Sequence, residues 1–278
     1  MTLSAILPAV RRYPTIAIGG VLLAFVALAA LLAPWIAGDP IGFEPINRLK
    51  PPSEAFLLGT DSLGRDVFAR LVYGARISLL VGLTVALIAV VSGALIGLIA
   101  GYFPRVDAVI MRVMDGIMAI PAILLAIALV ALMGSSVLVV IIAISIPEVP
   151  RVCRLVRSVV LSVRNLPFVE AARSNGTRVP KLLRRHVLPS TVAPLIVQAT
   201  YICASAILTE AGLSFLGAGT PPEIPTWGNM IASSRLFLML APWTVFAPGI
   251  CLALVVLAVN LLGDGLRDRL DPRISRRM

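Results

Sequence analysis

The chain has 278 residues, 59% hydrophobic and only 14% charged, against roughly 45–50% and about 25% in a soluble domain. A water-soluble fold of this length cannot hide so much apolar surface, so lipid has to solvate it. The formal charge of +10 sits in short loops between apolar runs, and aromatic residues make up only 6%, so there is no continuous basic face with stacking aromatics and nucleic acid is excluded as a partner.

A helix needs roughly 20 apolar residues to cross the hydrocarbon core. The first such run, Thr15–Ala37, follows Arg11 and Arg12; it is too long for the apolar region of a signal peptide and reads as a retained anchor. Ile77–Pro104, Gly116–Pro147, Val187–Thr209 and Leu236–Gly263 are also uncharged or nearly so. The run Gly116–Pro147 is too long for one crossing and breaks at Gly134-Ser135-Ser136, so it reads as a hairpin of two helices, about Val109–Met133 and Val137–Val156. The expectation is an all-α integral membrane protein with six transmembrane helices. It divides into an N-terminal segment (1–14), an anchor helix (15–37), an outer segment (38–76), a five-helix core (77–265) with an inner loop at 157–189, and a basic tail (266–278).

All but six of the 24 Lys and Arg residues fall before the first crossing, between the second and third, between the fourth and fifth, or after the sixth. The other six, Arg48, Lys50, Arg65, Arg70, Arg76 and Arg235, face nearby acids such as Asp39, Glu44, Glu54, Asp61, Asp66 and Glu223. By the positive-inside rule both termini are expected in the cytoplasm. Within the outer segment, Leu63, Val67, Leu71 and Ile77 alternate with polar residues from Asp61 to Arg76 at helical spacing, which predicts an amphipathic helix along the outer surface. On the second crossing Gly93, Gly97 and Gly101 recur every four residues, a spacing that lets another helix backbone approach closely.

The inner loop is the most basic segment. Asn165 is a candidate N-cap and Pro167 suits a first helical turn. Phe168–Asn175 then reads as a short helix bearing small Ala171 and Ala172. Gly176 is placed to end it in the left-handed conformation, and Thr177 to cap the next helix, with Pro180 in its first turn. This is a helix–turn–helix elbow. Glu170-Ala171-Ala172, then Gly176, His186, Leu188 and Pro189 at this spacing, resemble the signature loop of ABC importer permeases. The resemblance implies a type I permease fold in which the short helix docks into a cytoplasmic ATPase subunit. His186 stands where many members have Ile and the peptide branch commonly has His.

Two further stretches resemble the dipeptide/oligopeptide/nickel branch of that family. They are Leu58-Gly59-Thr60-Asp61-Ser62-Leu63-Gly64-Arg65-Asp66 with Tyr73–Leu79, and Leu213-Ser214-Phe215-Leu216-Gly217 with Pro221-Pro222 and Trp227-Gly228. Pro242-Trp243, Pro248-Gly249 and Asn260–Asp268 extend the likeness over nearly the whole chain. The single anchor helix ahead of an outer segment is that of the branch's C-type subunit. One departure is Val149-Pro150, where the family usually has Trp-Pro. The resemblance implies import of peptides, or alternatively of nickel or another small solute. It also implies a heterodimer with a homologous B-type permease, two ATPase subunits that hold ATP and Mg, an extracytoplasmic solute-binding protein, and residence in a bacterial inner membrane.

The chain itself carries no phosphate-binding loop, its only lysines being Lys50 and Lys181, so ATP chemistry is expected on another chain and no cofactor on this one. A rival class, the ion-driven secondary transporter, needs ionisable groups inside the membrane. Asp115 and Glu148 read as lying near helix ends, and Glu210 as helix-end structure before Gly212, Gly217 and Gly219. An embedded enzyme is disfavoured because His186 is the only histidine and no metal-ligand or nucleophile–base set surrounds it. Cys153, Cys203 and Cys251 are scattered and read as packing residues. Trp35, Trp227, Trp243 and Tyr102 are expected at the membrane interface, with Trp227 and its preceding loop as a second candidate surface for the binding protein.

Overall fold

The computed structural model describes residues 14–270. The flanking Arg11 and Arg12 and the tail arginines Arg273, Arg276 and Arg277 lie outside the described residues. Within them the regular structure is helical: α1 (Pro14–Ile36), α2 (Val67–Tyr102), α3 (Pro104–Met118), α4 (Ala122–Met133), α5 (Val137–Val163), α6 (Pro167–Ser174), α7 (Val179–Leu182), α8 (Leu188–Phe215), α9 (Trp227–Ser234) and α10 (Trp243–Leu270). Four stretches are long and apolar enough to cross a membrane: α1, α2, α8 with the helical turns that lead into it, and α10. The pair α3–α4 makes a fifth if taken as one broken span. At 27 residues α5 rises about 40 Å, ample for a core of about 30 Å, although it carries Glu148, Arg151 and Arg154.

Helix α2 is the centre of the bundle. It packs on α5, α8 and α1, and α10 closes the other side against α1 and α8. The α2–α5 contact is made by the glycine row. A Cβ on Gly93 would meet the Val152 side chain at 2.5 Å, one on Gly97 the Cys153 carbonyl oxygen at 2.6 Å, and one on Gly101 the Val160 side chain at 2.6 Å. With no side chain in the way, the backbones close and gain dispersion contacts that apolar solvation by lipid does not supply. Glycine serves the same end elsewhere: Gly82 admits Ile207 of α8, and Gly19 of α1 faces the backbone of Ala258 and Leu262 on α10. At the same end of that pair Gly265 sits against Thr15 and Ile16.

Two sequence expectations change. The expected surface helix from Asp61 does not form. The α-helix begins at Val67 and runs unbroken for 36 residues into the crossing. Residues 58–66 instead make a turn knot, with Gly59 and Gly64 at φ +70° and +79° and an isolated bridge between Thr60 and Asp66. Asp61 organises it: Oδ1 accepts the N–H groups of Leu63 and Arg65 at 2.8 and 3.0 Å, and Oδ2 accepts Arg65 Nε at 2.7 Å. Asp66 then caps α2 by accepting the Phe68 N–H at 2.9 Å. Burial pushes the Asp66 carboxyl above its ordinary range, while the N–H groups of Phe68 and Ala69 pull it back down. The apolar–polar alternation is therefore that of a capped turn leading into a helix.

The expected single helix Val109–Met133 is likewise two helices, α3 and α4, at 82° to each other. Pro121 lacks an N–H and crowds the residue before it, which ends α3 at Met118. Helix α3 is strongly two-faced, whereas the 12 residues of α4 are apolar throughout. Gly134, at φ +85°, ends α4. Ser136 caps α5 through the Val139 N–H at 3.2 Å.

Candidate functional site

The elbow between α5 and α8 is built from short-range rules. Pro167 opens α6, its missing N–H being one that a helix N-terminus leaves unpaired in any case. The residue at the N-cap position is Leu166 and makes no side-chain bond, so Asn165 is not the cap. At the other end the Gly176 N–H donates to the Arg173 carbonyl at 3.0 Å, and the Thr177 N–H to that of Ala172 at 3.1 Å. Gly176 has φ +74°. These are the paired bonds of a Schellman ending, which satisfy carbonyls that the helix would otherwise leave bare. Thr177 is not the cap of the next helix; Arg178 holds that position, with Pro180 in the first turn of α7.

From α7 the chain passes through a wide π-helical turn, Leu183–Val187, directly into α8 at Leu188. His186 lies in that turn, partly exposed, and Pro189 stands in the first turn of α8. Val169, Leu182 and Val187 of the elbow are buried to 1% exposure or less and belong to the hydrophobic core of the bundle, with Ala172, Leu183 and Leu188 partly buried against it. Its outer face is bare. Leu166 is 41% and Phe168 47% exposed, and Glu170, Ala171 and Gly176 are also exposed. Open space surrounds the Gly176 Cα. The elbow is a knuckle that presents apolar and small residues at its surface.

Each acidic candidate has a partner through one carboxylate oxygen, while Oε2 of Glu148 and Oε2 of Glu210 are buried without a hydrogen bond among the described residues. Glu148 is not near a helix end: it lies in the interior of α5, 5% exposed, with Arg151 Nη1 2.7 Å from its Oε1. Asp115 is in the last turn of α3 and meets Arg154 Nη2 at 2.5 Å. Glu210, buried near the end of α8, accepts the Ser214 hydroxyl at 2.9 Å and that of Thr220 at 3.4 Å.

Tryptophan placement differs from expectation at one position. Trp35 is 79% exposed near the end of α1, as an interface residue should be. Trp227 is 1% exposed: it is a peg inside the bundle, and so offers no surface to an outside partner. The sequence signal that was missed is Thr226, whose hydroxyl accepts the Asn229 N–H at 3.1 Å and starts α9; it marks a short helix folded back into the bundle. The loop before it is held by Asn229, whose amide donates to the carbonyls of Thr220 and Pro221 at 3.0 Å.

A bundle of long apolar helices with a structured helical elbow between two of them is the architecture of an integral membrane protein. Residues 93–276 match the family described as binding-protein-dependent transport system inner membrane component, and the chain belongs to that family, with its all-helical type I permease fold. It is 60% identical over 267 residues to a probable peptide ABC transporter permease protein of Sinorhizobium fredii, covering 96% of this chain and 92% of the relative. It is 46% identical over 260 residues to the dipeptide transport system permease protein of Alkalihalophilus pseudofirmus (93% and 86% covered). It is 41% identical over 269 residues to the glutathione transport system permease protein of Pectobacterium atrosepticum (95% and 89%). The chain is thus an integral membrane permease that works with other components of an ABC transporter.

Proposed function

We propose that this chain is the C-type permease of a binding-protein-dependent peptide importer and lines half of the translocation path. It works beside a homologous B-type subunit, and two ATPase subunits that hold ATP and Mg drive it through the elbow. The observation that carries this reading is the knuckle at Leu166–Gly176. Its short helix has a Schellman ending, its small-residue face is exposed, and it joins crossing helix α5 to crossing helix α8. A lever of that kind transmits displacement because it moves as a body between discrete packings. Peptide is the substrate class that the names of the relatives at 60% and 46% identity share; a tripeptide derivative such as glutathione falls within the same chemistry. Six crossings, counting α3–α4 as one and α5 as another, put both ends on one side. The Lys and Arg distribution makes that side the cytoplasm of an inner-membrane protein.

The test is uptake in proteoliposomes containing the assembled complex, the binding protein and internal ATP. Labelled di- or tripeptide should accumulate, vanadate should abolish accumulation, and collapse of the proton gradient at constant ATP should leave it intact. Uptake that follows the proton gradient and ignores vanadate would reject the reading.

A further inference from the structure

Beyond its exposed face, the elbow is fastened at the back, and the fastening is asymmetric. Arg154 and Arg157 near the end of α5, and Arg164 at its C-cap, each reach α2 or α3. The Arg157 fork grips Asp107 with Nε 2.5 Å from Oδ1 and Nη2 2.6 Å from Oδ2. Arg154 Nη2 lies 2.5 Å from Asp115 Oδ1. Arg164 Nη1 donates at 3.0 Å to the carbonyl oxygen of Gly101, in the last turn of α2, where carbonyls lack helical partners. From α6 itself, the Arg173 guanidinium stands 5.8 Å from the Tyr102 ring centroid and 3.5 Å from its hydroxyl. Beneath these contacts the Gly93, Gly97 and Gly101 row locks α2 to α5.

The contacts differ in weight. Arg154 and Asp115 are 46% and 57% exposed, so water screens that pair and it holds little. Arg157 and Asp107 are 32% and 18% exposed. Two parallel N–H···O bonds fix their relative orientation as well as their distance. On the other side the chain runs from the elbow into α8 through α7 and the π-helical turn Leu183–Val187, a geometry of the kind that recurs at functional sites.

We propose that Arg157, supported by Arg164 and by the Arg173–Tyr102 contact, is a positioning residue for energy coupling. It clamps α5, the helix that leads into the elbow, to α3, so that displacement of the elbow enters the bundle through the α2–α3–α5 body while Leu183–Val187 absorbs the relative motion of α8. This rests on the coupling role proposed for the elbow.

The experiment measures ATP hydrolysed per peptide taken up by the assembled, binding-protein-stimulated transporter in proteoliposomes. Arg157→Gln and Asp107→Asn should each raise that ratio about five- to tenfold, within the usual span of coupling between sites, with basal hydrolysis unchanged. Arg157→Lys, which keeps the charge and loses the fork, should fall between. The exchange of Arg157→Asp with Asp107→Arg should bring the ratio back to within about twofold of the parent, a rescue that a merely structural loss would not show. A parental ratio in both single variants, or an exchanged pair that couples no better than the singles, overturns the proposal. If the exchanged pair does not assemble, Tyr102→Leu decides: a raised ratio supports the clamp and an unchanged one overturns it. A parent complex that imports no peptide on ATP counts against the function proposed above, whereas a coupled parent with equally coupled variants counts against the clamp alone.

Discussion

The indole N–H of Trp227 donates to the carbonyl oxygen of Leu71 at 3.0 Å, across 156 residues of sequence. The ring lies close over Gly74: a Cβ there would stand 3.3 Å from Trp227 Cδ1, a tight contact. Trp227→Phe should cost about 1 kcal/mol from the lost hydrogen bond, and Trp227→Ala about 3–5 kcal/mol from the cavity. Thermal unfolding in detergent, followed by tryptophan-independent aggregation, checks both. Equal melting of the two variants would contradict the peg.

Asp61→Asn leaves Arg65 and Arg70, 8% and 1% exposed, without the carboxylate that lies 2.7 Å from one and 3.8 Å from the other. An uncompensated buried cation costs about 3–5 kcal/mol, so the yield of folded protein should fall sharply. Protease cleavage within residues 40–66 should appear first, because that is the backbone the knot ties down. A variant with parental protease resistance would show that the arginines find other partners.

Gly97→Ala and Gly97→Leu form a graded pair. A methyl group would already meet the Cys153 carbonyl oxygen at 2.6 Å, so alanine should destabilise by about 1–3 kcal/mol. Leucine should largely prevent accumulation of folded bundle in the membrane. Monodispersity in size-exclusion chromatography reports the difference, and a well-behaved leucine variant would place that face against lipid.

Gly176→Val forces a β-branched residue to φ +74°, where a side chain costs at least about 1–2 kcal/mol. The helix ending then rearranges while the crossings stay in place. Insertion should be normal and peptide uptake reduced more than tenfold, with Gly176→Asn, which tolerates that conformation, near the parent. Full uptake by the valine variant would mean that the helix ending is not part of coupling.

Sequence pattern exposed features governed by local rules. A glycine four residues from the next glycine, or a glycine after a short alanine-bearing helix, has a meaning that neighbours alone supply. What it hid was set at longer range or had two readings. Residues 61–66 satisfy helical spacing, and only the positive φ of Gly59 and Gly64 shows that the chain turns there. Along residues 117–133 nearly every position is apolar, so there is no polar face to mark direction, and Pro121 was the one sign of the 82° bend. Trp227 looked like an interface residue because its type is common there. Its burial is set against Leu71 and Gly74, on a helix more than 150 positions away. Asp107 and Arg157 are 50 residues apart, and no local pattern links them.

The seam between Gly19 and Ala258, continued where Thr15 and Ile16 flank Gly265, makes the first helix a wall of the bundle. Removing the first 36 residues would strip α10 of a neighbour along much of its length and leave a groove sized for a helix backbone open to hydrocarbon. The same adjacency brings Pro14 and Leu270 to one end of the bundle, so a short linker joining them would close the polypeptide into a ring without redirecting any crossing.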